Sequence, residues 1–185
     1  MRPIRSSMLV CVVITAALVS TVPRPASAAS AAELNRESAA ALRDLYARQP
    51  SARILGEKAR GILVFPGIVK AGFMFGGQIG EGVLRKNGRV AGYYNSVAAS
   101  YGFQAGIQKF GYALFFMNNE ALNQLDATKG FELGVGPSIV VVDEGIGKSI
   151  TSNTITSDVY AFIFDQKGLM AGVGIQGSKI TRISK

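Results

Sequence analysis

One glycine-rich stretch decides the fold: residues 61–94 read GILVFPGIVKAGFMFGGQIGEGVLRKNGRVAGYY. It opens with an apolar run at 62–65, which the helix- and strand-breaking pair Pro66-Gly67 is expected to end. A long strand candidate follows at 73–84. The tetrapeptide Lys86-Asn87-Gly88-Arg89 is typical of a two-residue type I′ turn, because Asn and Gly tolerate positive φ. The stretch therefore predicts a β-hairpin.

Beyond this turn, apolar runs continue almost to the C-terminus. Strand candidates lie at 90–94, 98–108, 112–117, 131–142, 159–164 and 169–175. Asn118 or Asn119 is expected to cap a short helix that carries Leu122 and Leu125 on its apolar side. A turn at 165–168 is predicted to join the last two strands. Because the strands follow one another and are linked by hairpins, we predict an antiparallel sheet.

Glycine contributes 22 of the 185 residues and recurs at even spacing along the strand candidates. Such pairs are Gly72 with Gly76, Gly80 with Gly82, and Gly102 with Gly106. Even spacing places these glycines on one face of a strand. Since glycine weakens a strand, a row of glycines indicates sharp coiling or the close approach of another backbone. The predicted fold class is therefore α+β, with a strongly curved, glycine-rich antiparallel sheet that approaches a barrel.

Residues 31–58 have the pattern of N-terminal helices packed against this sheet. Ser30-Ala31-Ala32-Glu33 resembles a capping box. Apolar residues then recur at helical spacing, namely Ala31, Leu34, Ala41, Leu42, Leu45 and Tyr46. Pro50 is expected to end the first helix, and Ser51 to cap a second helix that runs to Lys58. A helix lying on a membrane is the alternative, but the alanine-rich apolar side and balanced charge favour packing on the domain.

The first 28 residues have the three parts of a secretory signal peptide. Arg2 and Arg5 form a basic region, residues 8–22 carry no charge, and Ala26-Ser27-Ala28 provides a cleavage pattern. The apolar run of 15 residues is shorter than a membrane span of about 20. We expect cleavage after Ala28, a single domain at 29–185 with its sheet-rich region at 61–183, and a periplasmic or secreted protein that associates peripherally with a membrane. Whether Cys11 is lipidated stays open.

Composition argues against catalysis. The chain has no His, and its single Cys, Cys11, lies in the predicted signal peptide. Histidine is the usual general base and the commonest metal ligand, and thiol chemistry needs cysteine. The P-loop-like residues 145–149 lack the opening glycine, because Val142 stands in its place, and the GxGxxG match at 172–177 has no following helix. We predict no enzymatic activity, no cofactor and no metal.

Positive charge points to an anionic partner. The net charge is +8, and it remains +5 when residues 1–28 are removed. Six basic residues flank the first strand or gather at the hairpin tip, and we predict them as candidates for lipid headgroup binding: Lys58, Arg60, Lys70, Arg85, Lys86 and Arg89. Solvated charges that keep the protein soluble, or an apolar groove beneath the N-terminal helix, are the alternatives. Export argues against nucleic acid as a partner.

A family resemblance covers nearly the whole predicted mature chain, about 34–183. Residues 58–82, KARGILVFPGIVKAGFMFGGQIGEG, resemble the opening signature of the SYLF-domain family, and 101–106, 117–122, 158–160 and 167–173 match further motifs. The family pattern maps onto Pro66, Gly67, Gly72, Phe73, Gly76, Gly77, Gly80, Gly82, Gly106 and Gly172. We interpret these residues as makers of the fold more than as ligand contacts.

The resemblance implies a lipid-binding function. SYLF domains are known in bacteria as lipid-binding proteins and in eukaryotes as phosphoinositide- and actin-binding modules. This chain has a predicted signal peptide where those eukaryotic members have a basic membrane-binding helix, so actin and phosphoinositides are not its expected partners. We expect an exported domain that binds anionic phospholipids at a membrane surface. The alternative is a structural or protein-interaction component of the cell envelope, with an envelope protein as partner.

Overall fold

The computed structural model describes residues 29–126, 130–132, 136–151, 153–168 and 177–185. The predicted signal peptide and the whole strand candidate at 169–175, including Gly172, lie outside the described residues. Four helices and six strands follow in the order α1 Ala31–Arg48, α2 Pro50–Lys58, β1 Gly61–Lys86, β2 Arg89–Phe116, α3 Asn119–Leu125, β3 Phe131–Glu132, β4 Ile139–Val141, α4 Glu144–Ser149, β5 Val159–Gly168 and β6 Lys179–Ile183, counting only the described part of the chain. No helix among these residues is long and apolar enough to cross a membrane.

The strands form one sheet around β2. β1 pairs with β2 along one edge, while β5 and β6 pair with different halves of its other edge. β3 adds to β6, and β4 adds to β5. Every pairing is antiparallel except that of β4 with β5, which is parallel. The predicted α+β class, with a curved antiparallel sheet and N-terminal helices packed on it, is confirmed, and the parallel pair is the one departure among these strands.

The hairpin tip, residues 85–90, has the conformation that its sequence predicts. Asn87 and Gly88 have φ values of 50° and 75°, and Lys86 pairs with Arg89 across the turn. Both central residues therefore adopt the positive φ of a type I′ turn, whose twist suits the flanking strands.

β1 folds back on itself. A Cβ atom built on Gly80 would lie 2.7 Å from the carbonyl oxygen of Gly67, and one on Gly82 would lie 2.7 Å from the ring of Phe65. Contacts between residues this far apart in one strand require its two halves to lie face to face. The predicted close approach of a second backbone at the glycine row is thus confirmed at Gly80, whereas at Gly82 the close neighbour is the Phe65 ring. The sheet curls into a half-barrel.

The fold-back is centred near residues 73–75. The β1–β2 register shifts between Gly72 and Met74, and Gly72 pairs with Gly106, which has a φ of 146°. An extra residue in one strand of a pair bends that strand and increases its twist. We call this part of the hairpin, between residues 71 and 77 of β1 and residues 99 and 107 of β2, the bend. The side chain of Phe73 is outside the described residues.

Pro66-Gly67 does not end the first strand, contrary to prediction. β1 continues from Gly61 to Lys86, with a register shift between Phe65 and Ile68. Pro66 and Gly67 occupy this bulge, where a proline without an N–H removes no ladder hydrogen bond. The strand-breaking residues therefore kink β1 without interrupting it.

Three further local predictions are wrong. Residues 131–142 do not form one strand, because residues 136–138 belong to no strand and β4 begins at Ile139. The adjacent carboxylates Asp143 and Glu144 are predicted from the sequence to lie in a turn, but Asp143 caps the short helix α4, and its carboxylate accepts a hydrogen bond from the amide of Ile146. β5 runs through the predicted turn at 165–168, because Asp165 takes a φ of 51° beside a bulge in the β2–β5 pairing.

Helix α1 begins as predicted, whereas α2 begins before Ser51, its predicted cap. The Ser30 hydroxyl accepts from the amide of Glu33, and α1 ends at Arg48, before Pro50. Pro50 opens α2, so Ser51 lies inside its first turn and Gln49 takes the cap position. Proline suits this place because the first helical amide has no partner within the helix.

Two hydrophobic clusters pack against the sheet, one on each face. Inside the curl, Phe65, Tyr112 and Leu114 belong to a cluster that also contacts α3. On the outer face, Leu45 and Leu55 of the helices pack with Val64 and with neighbours from β2 and β5. Helices α1 and α2 thus cover the outer face near the start of β1, whereas exposed side chains mark that face close to the bend.

Candidate functional site

The six predicted headgroup residues do not form one surface. Lys58 ends α2 and Arg60 precedes β1, and both are exposed. Lys70 lies in β1 opposite Gln108, and only 9% of it is accessible to solvent. A side chain this buried cannot reach the plane of a membrane without rearrangement. Lys70 is therefore separated from the other five candidates.

Arg85 is engaged within the fold. Its guanidinium donates to the carbonyl oxygen of Asn35 at 3.0 Å and to the hydroxyl of Ser38 at 3.5 Å, both in α1, and to the carbonyl oxygen of Gly88 at 3.4 Å. Its Nε is buried without a hydrogen-bond partner. Hydrogen bonds from a charged donor are among the stronger ones in proteins. Arg85 thus ties α1 to the hairpin tip.

Lys86 and Arg89 remain as the cations of the hairpin tip. They pair across the turn, and neither forms an ion pair among the described residues. A Cβ atom built on Gly61 would lie 3.3 Å from Leu84, so the start of β1 is next to the tip and brings Arg60 to the same end of the molecule. The structure therefore brings together three of the predicted residues at this end: Arg60, Lys86 and Arg89.

The groove beneath α1 is acidic. A cavity of about 360 Å³ lies between α1 and the folded-back β1, and its lining includes one lysine, Lys109, and four carboxylates, Glu37, Asp44, Glu81 and Asp165. Glu81 pairs with Lys185 and Asp165 with Arg48, each at 2.8 Å. Acidic side chains repel a phosphate headgroup. This groove does not suit an anionic lipid. The groove beneath the N-terminal helix, which the sequence left open as an alternative lipid site, is therefore disfavoured.

Apolar side chains are exposed on both sides of the bend. Six of them form what we call the bend rim: Val69, Ala71, Ile79, Val97, Ala99 and Ile107. Ala71 faces Ile107 across the strands, and Ile79 faces Val97. Directly opposed residues on adjacent strands share a face of the sheet. The sequence analysis missed this surface, although alternation with buried neighbours such as Ile68 and Gln78 was the available signal.

Three exposed lysines accompany the bend rim. Lys109 pairs with Val69 on one side and with Lys167 on the other, and Lys179 pairs with Val97. We call Lys109, Lys167 and Lys179 the lysine collar. None of the three forms an ion pair within the described part of the chain, and Glu132 is the acidic residue in register with Lys179.

The chain matches one family description among the comparisons. A family model described as Ysc84, Las17-binding protein actin regulator, covers residues 97–185. This match, over just under half of the chain, is consistent with the SYLF-domain family. No curated protein matches the chain. The predicted family resemblance is thereby confirmed.

The SYLF match begins inside β2 and runs to the end of β6. Four of the motifs that carried the resemblance lie within it, at 101–106, 117–122, 158–160 and 167–173. The opening signature at 58–82 lies before it, in the segment that forms most of β1. The match includes Gly106 of the bend, residues 97–116 of β2 and all three lysines of the collar.

Two SYLF motifs meet in a polar cluster beside α3. The Asp158 carboxylate accepts from the amide nitrogen of Asn118 at 2.6 Å and from the backbone amide and hydroxyl of Ser138. The Asn118 side-chain oxygen in turn accepts from the amide of Ala121 and caps α3, as predicted. These hydrogen bonds, led by that from the Ser138 backbone, hold the pKa of Asp158 below its ordinary value.

This cluster organises the fold. Each polar atom named is used in joining α3 to the strands, and Asp158 also accepts through its backbone oxygen from the amide of Met117. Among the described residues, no three Asp or Glu side chains are placed to hold a metal ion.

Proposed function

We propose that this SYLF-domain protein is an exported, non-enzymatic domain that binds anionic phospholipids at a membrane surface. The observation that carries the proposal is the lysine collar, three exposed lysines that form no ion pair within the described residues, in a chain that matches the SYLF family over residues 97–185. Export is supported by the signal-peptide pattern of residues 1–28. The lack of His and Cys after residue 28 supports a role without catalysis.

The charge suits binding that is modest and reversible. Each basic residue near an anionic surface contributes about 1 kcal/mol. The three lysines of the collar would together give an electrostatic contribution of about 3 kcal/mol, roughly a hundredfold in the partition coefficient. A net charge of +5 on residues 29–185 adds a general attraction that orients the approaching protein.

Vesicle sedimentation tests the proposal. The protein, purified in the form that the cell accumulates, is mixed with vesicles of phosphatidylcholine alone or with an equal part of phosphatidylglycerol. We expect binding to the anionic vesicles, and its loss when ionic strength rises from 0.1 to 1 M, since the Debye length falls from about 10 to about 3 Å. Equal binding to neutral vesicles, or none to anionic vesicles at low salt, would contradict the proposal.

Protein binding is the second candidate, because the matching family is described as an actin regulator that binds Las17. Sedimentation with actin filaments and capture of envelope proteins from a membrane extract would test it in parallel. A protein that sediments with filaments and ignores anionic vesicles would replace lipid binding by this second function. We rank it lower, since a protein exported from the cytoplasm does not meet actin there.

A further inference from the structure

We infer that the bend of the β1–β2 hairpin is the part of the molecule that enters the membrane, with the bend rim in the headgroup region and the lysine collar on the anionic phosphates. This inference rests on the proposed function and names the surface that performs it. It replaces the hairpin tip, which the sequence favoured, by the opposite end of the folded hairpin.

Exposure of the bend rim is the first argument. Ile107 is 68% exposed and Ile79 is 57% exposed, and both are flanked by exposed partners in register. Large aliphatic side chains that stand this far into water on neighbouring strands form a patch, and apolar patches beside polar residues mark binding surfaces. The helices that cover the outer face at the start of β1 do not extend over these residues, which remain exposed.

The position of the lysine collar is the second argument. Val69 and Lys109 lie one cross-strand row farther from the bend than Ala71 and Ile107, a step of about 7 Å for two residues of a strand. On the other side of the bend, Lys179 lies beside Val97, also one row beyond Ala99. Interfacial segments enter the headgroup region by about 5–10 Å, so a bend at this depth brings the lysines level with the phosphates.

Charge decides the occupant. Two copies of the protein that met through their bends would bring two lysine collars together, and like charges in register destabilise such a contact. An anionic membrane offers apolar depth for the rim and negative charge for the collar. The groove beneath α1 lacks the positive charge that an anionic membrane would attract, because four carboxylates line it beside Lys109. The hairpin tip lacks an apolar surface, since Val90, 40% exposed, is its one large exposed aliphatic side chain among the described residues.

The two ends cannot touch one flat membrane together. Because Gly61 lies beside Leu84 and Gly82 beside Phe65, the tip and the bend are at opposite ends of the folded hairpin. A depth probe placed at each end therefore separates the two orientations. The chain contains no tryptophan, so a single introduced tryptophan reports from one position.

The experiment uses three variants with one tryptophan each: Ile107→Trp, Ile79→Trp and Val90→Trp. Each variant is mixed with vesicles of phosphatidylcholine and phosphatidylglycerol, with and without brominated acyl chains. We expect the emission of the first two to shift to the blue and to be quenched by bromine, while Val90→Trp keeps its emission from water. Quenching of Val90→Trp alone would overturn the inference in favour of the tip. Binding by sedimentation without quenching at positions 79 and 107 would also overturn it, with the proposed function intact.

Charge reversal provides an independent measurement. The triple variant Lys109→Glu, Lys167→Glu and Lys179→Glu should lower partitioning by at least about a hundredfold, at roughly fivefold for each lysine. The matched control Lys86→Glu with Arg89→Glu should stay within about twofold of the unaltered protein, because its charges lie farther than a Debye length from the lipid. The reverse ranking would refute the inference. Failure of the unaltered protein to bind anionic vesicles would remove the proposed function and this inference together.

Discussion

Replacing Gly80 by alanine should destabilise the protein, although alanine is normally the better residue. The added Cβ would contact the Ile68 side chain and lie 2.7 Å from the carbonyl oxygen of Gly67. A side-chain tip can move aside, but the backbone oxygen belongs to the opposing half of β1 and moves only with that strand. Overpacking of this kind costs about 1–3 kcal/mol.

The unfolded chain offsets part of this cost. Exchanging glycine for alanine restricts the unfolded state and contributes about 0.4–1 kcal/mol to stability where the native backbone allows it. The expected net loss for Gly80→Ala is therefore about 1–2 kcal/mol in the free energy of unfolding. For a domain of this size that corresponds to a fall in Tm of about 3–6 °C.

Gly77→Ala is the matched control. Gly77 lies on the same strand, and among the described residues a Cβ atom there would meet only the carbonyl oxygen of Ala98 at 3.5 Å, an ordinary contact. We expect this variant to be as stable as the unaltered protein or slightly more stable. Urea unfolding followed by far-ultraviolet circular dichroism measures both variants. If Gly80→Ala unfolds at the same urea concentration as Gly77→Ala, the fold-back of β1 is not as close as described.

Three further predictions concern export, acid stability and the attachment of α1. N-terminal sequencing of the protein from the periplasmic fraction should begin at Ala29, and retention of Met1 would contradict cleavage. The lowered pKa of Asp158 stabilises the fold above the ordinary carboxylate pKa, and this stability is lost as the pH falls through the pKa of the folded state. Asp158→Asn should therefore weaken the dependence of the free energy of unfolding on pH in the acid range. An unchanged acid dependence would show that this carboxylate is not coupled to folding. Arg85→Met should lower the free energy of unfolding by about 1–3 kcal/mol through the lost hydrogen bonds to α1, whereas Arg89→Met should change it by less than about 0.5; equal effects in urea titrations would place Arg85 outside the fold.

Local chemistry accounts for the features that were predicted correctly. Asn87-Gly88 adopts a type I′ turn, Ser30 caps α1 and Asn118 caps α3 because each depends on atoms within three residues of one another. The glycine row at Gly80 and Gly82 predicted a close backbone approach, although it did not reveal which segment approaches. The family resemblance likewise depended on ordered motifs that are visible in the linear chain.

The predicted binding residues show what local patterns miss. Lys70 and Arg85 have the same side-chain chemistry as exposed cations, and nothing in their neighbours in sequence shows that one is buried and the other is bonded to α1. The bend rim is formed by residues of β1 and β2 that are far apart in the chain: Ile79 and Val97 are 18 positions apart, and Ala71 and Ile107 are 36. The lysine collar adds residues of β5 and β6. The burial of Lys70 and the clustering of the three lysines depend on how the strands are arranged in space. Only the tertiary structure therefore reveals them.

Sequence alone was sufficient for the α+β class, the curvature of the sheet, the SYLF family and the turn at the hairpin tip, because backbone conformational preferences and periodic patterning act over short distances. Tertiary structure decided that β1 continues through Pro66, that β4 joins β5 in parallel and that the exposed apolar and basic residues meet at the bend. The physical reason is that these features arise from contacts between residues far apart in the chain, whose energy exists only after the strand has folded back on itself.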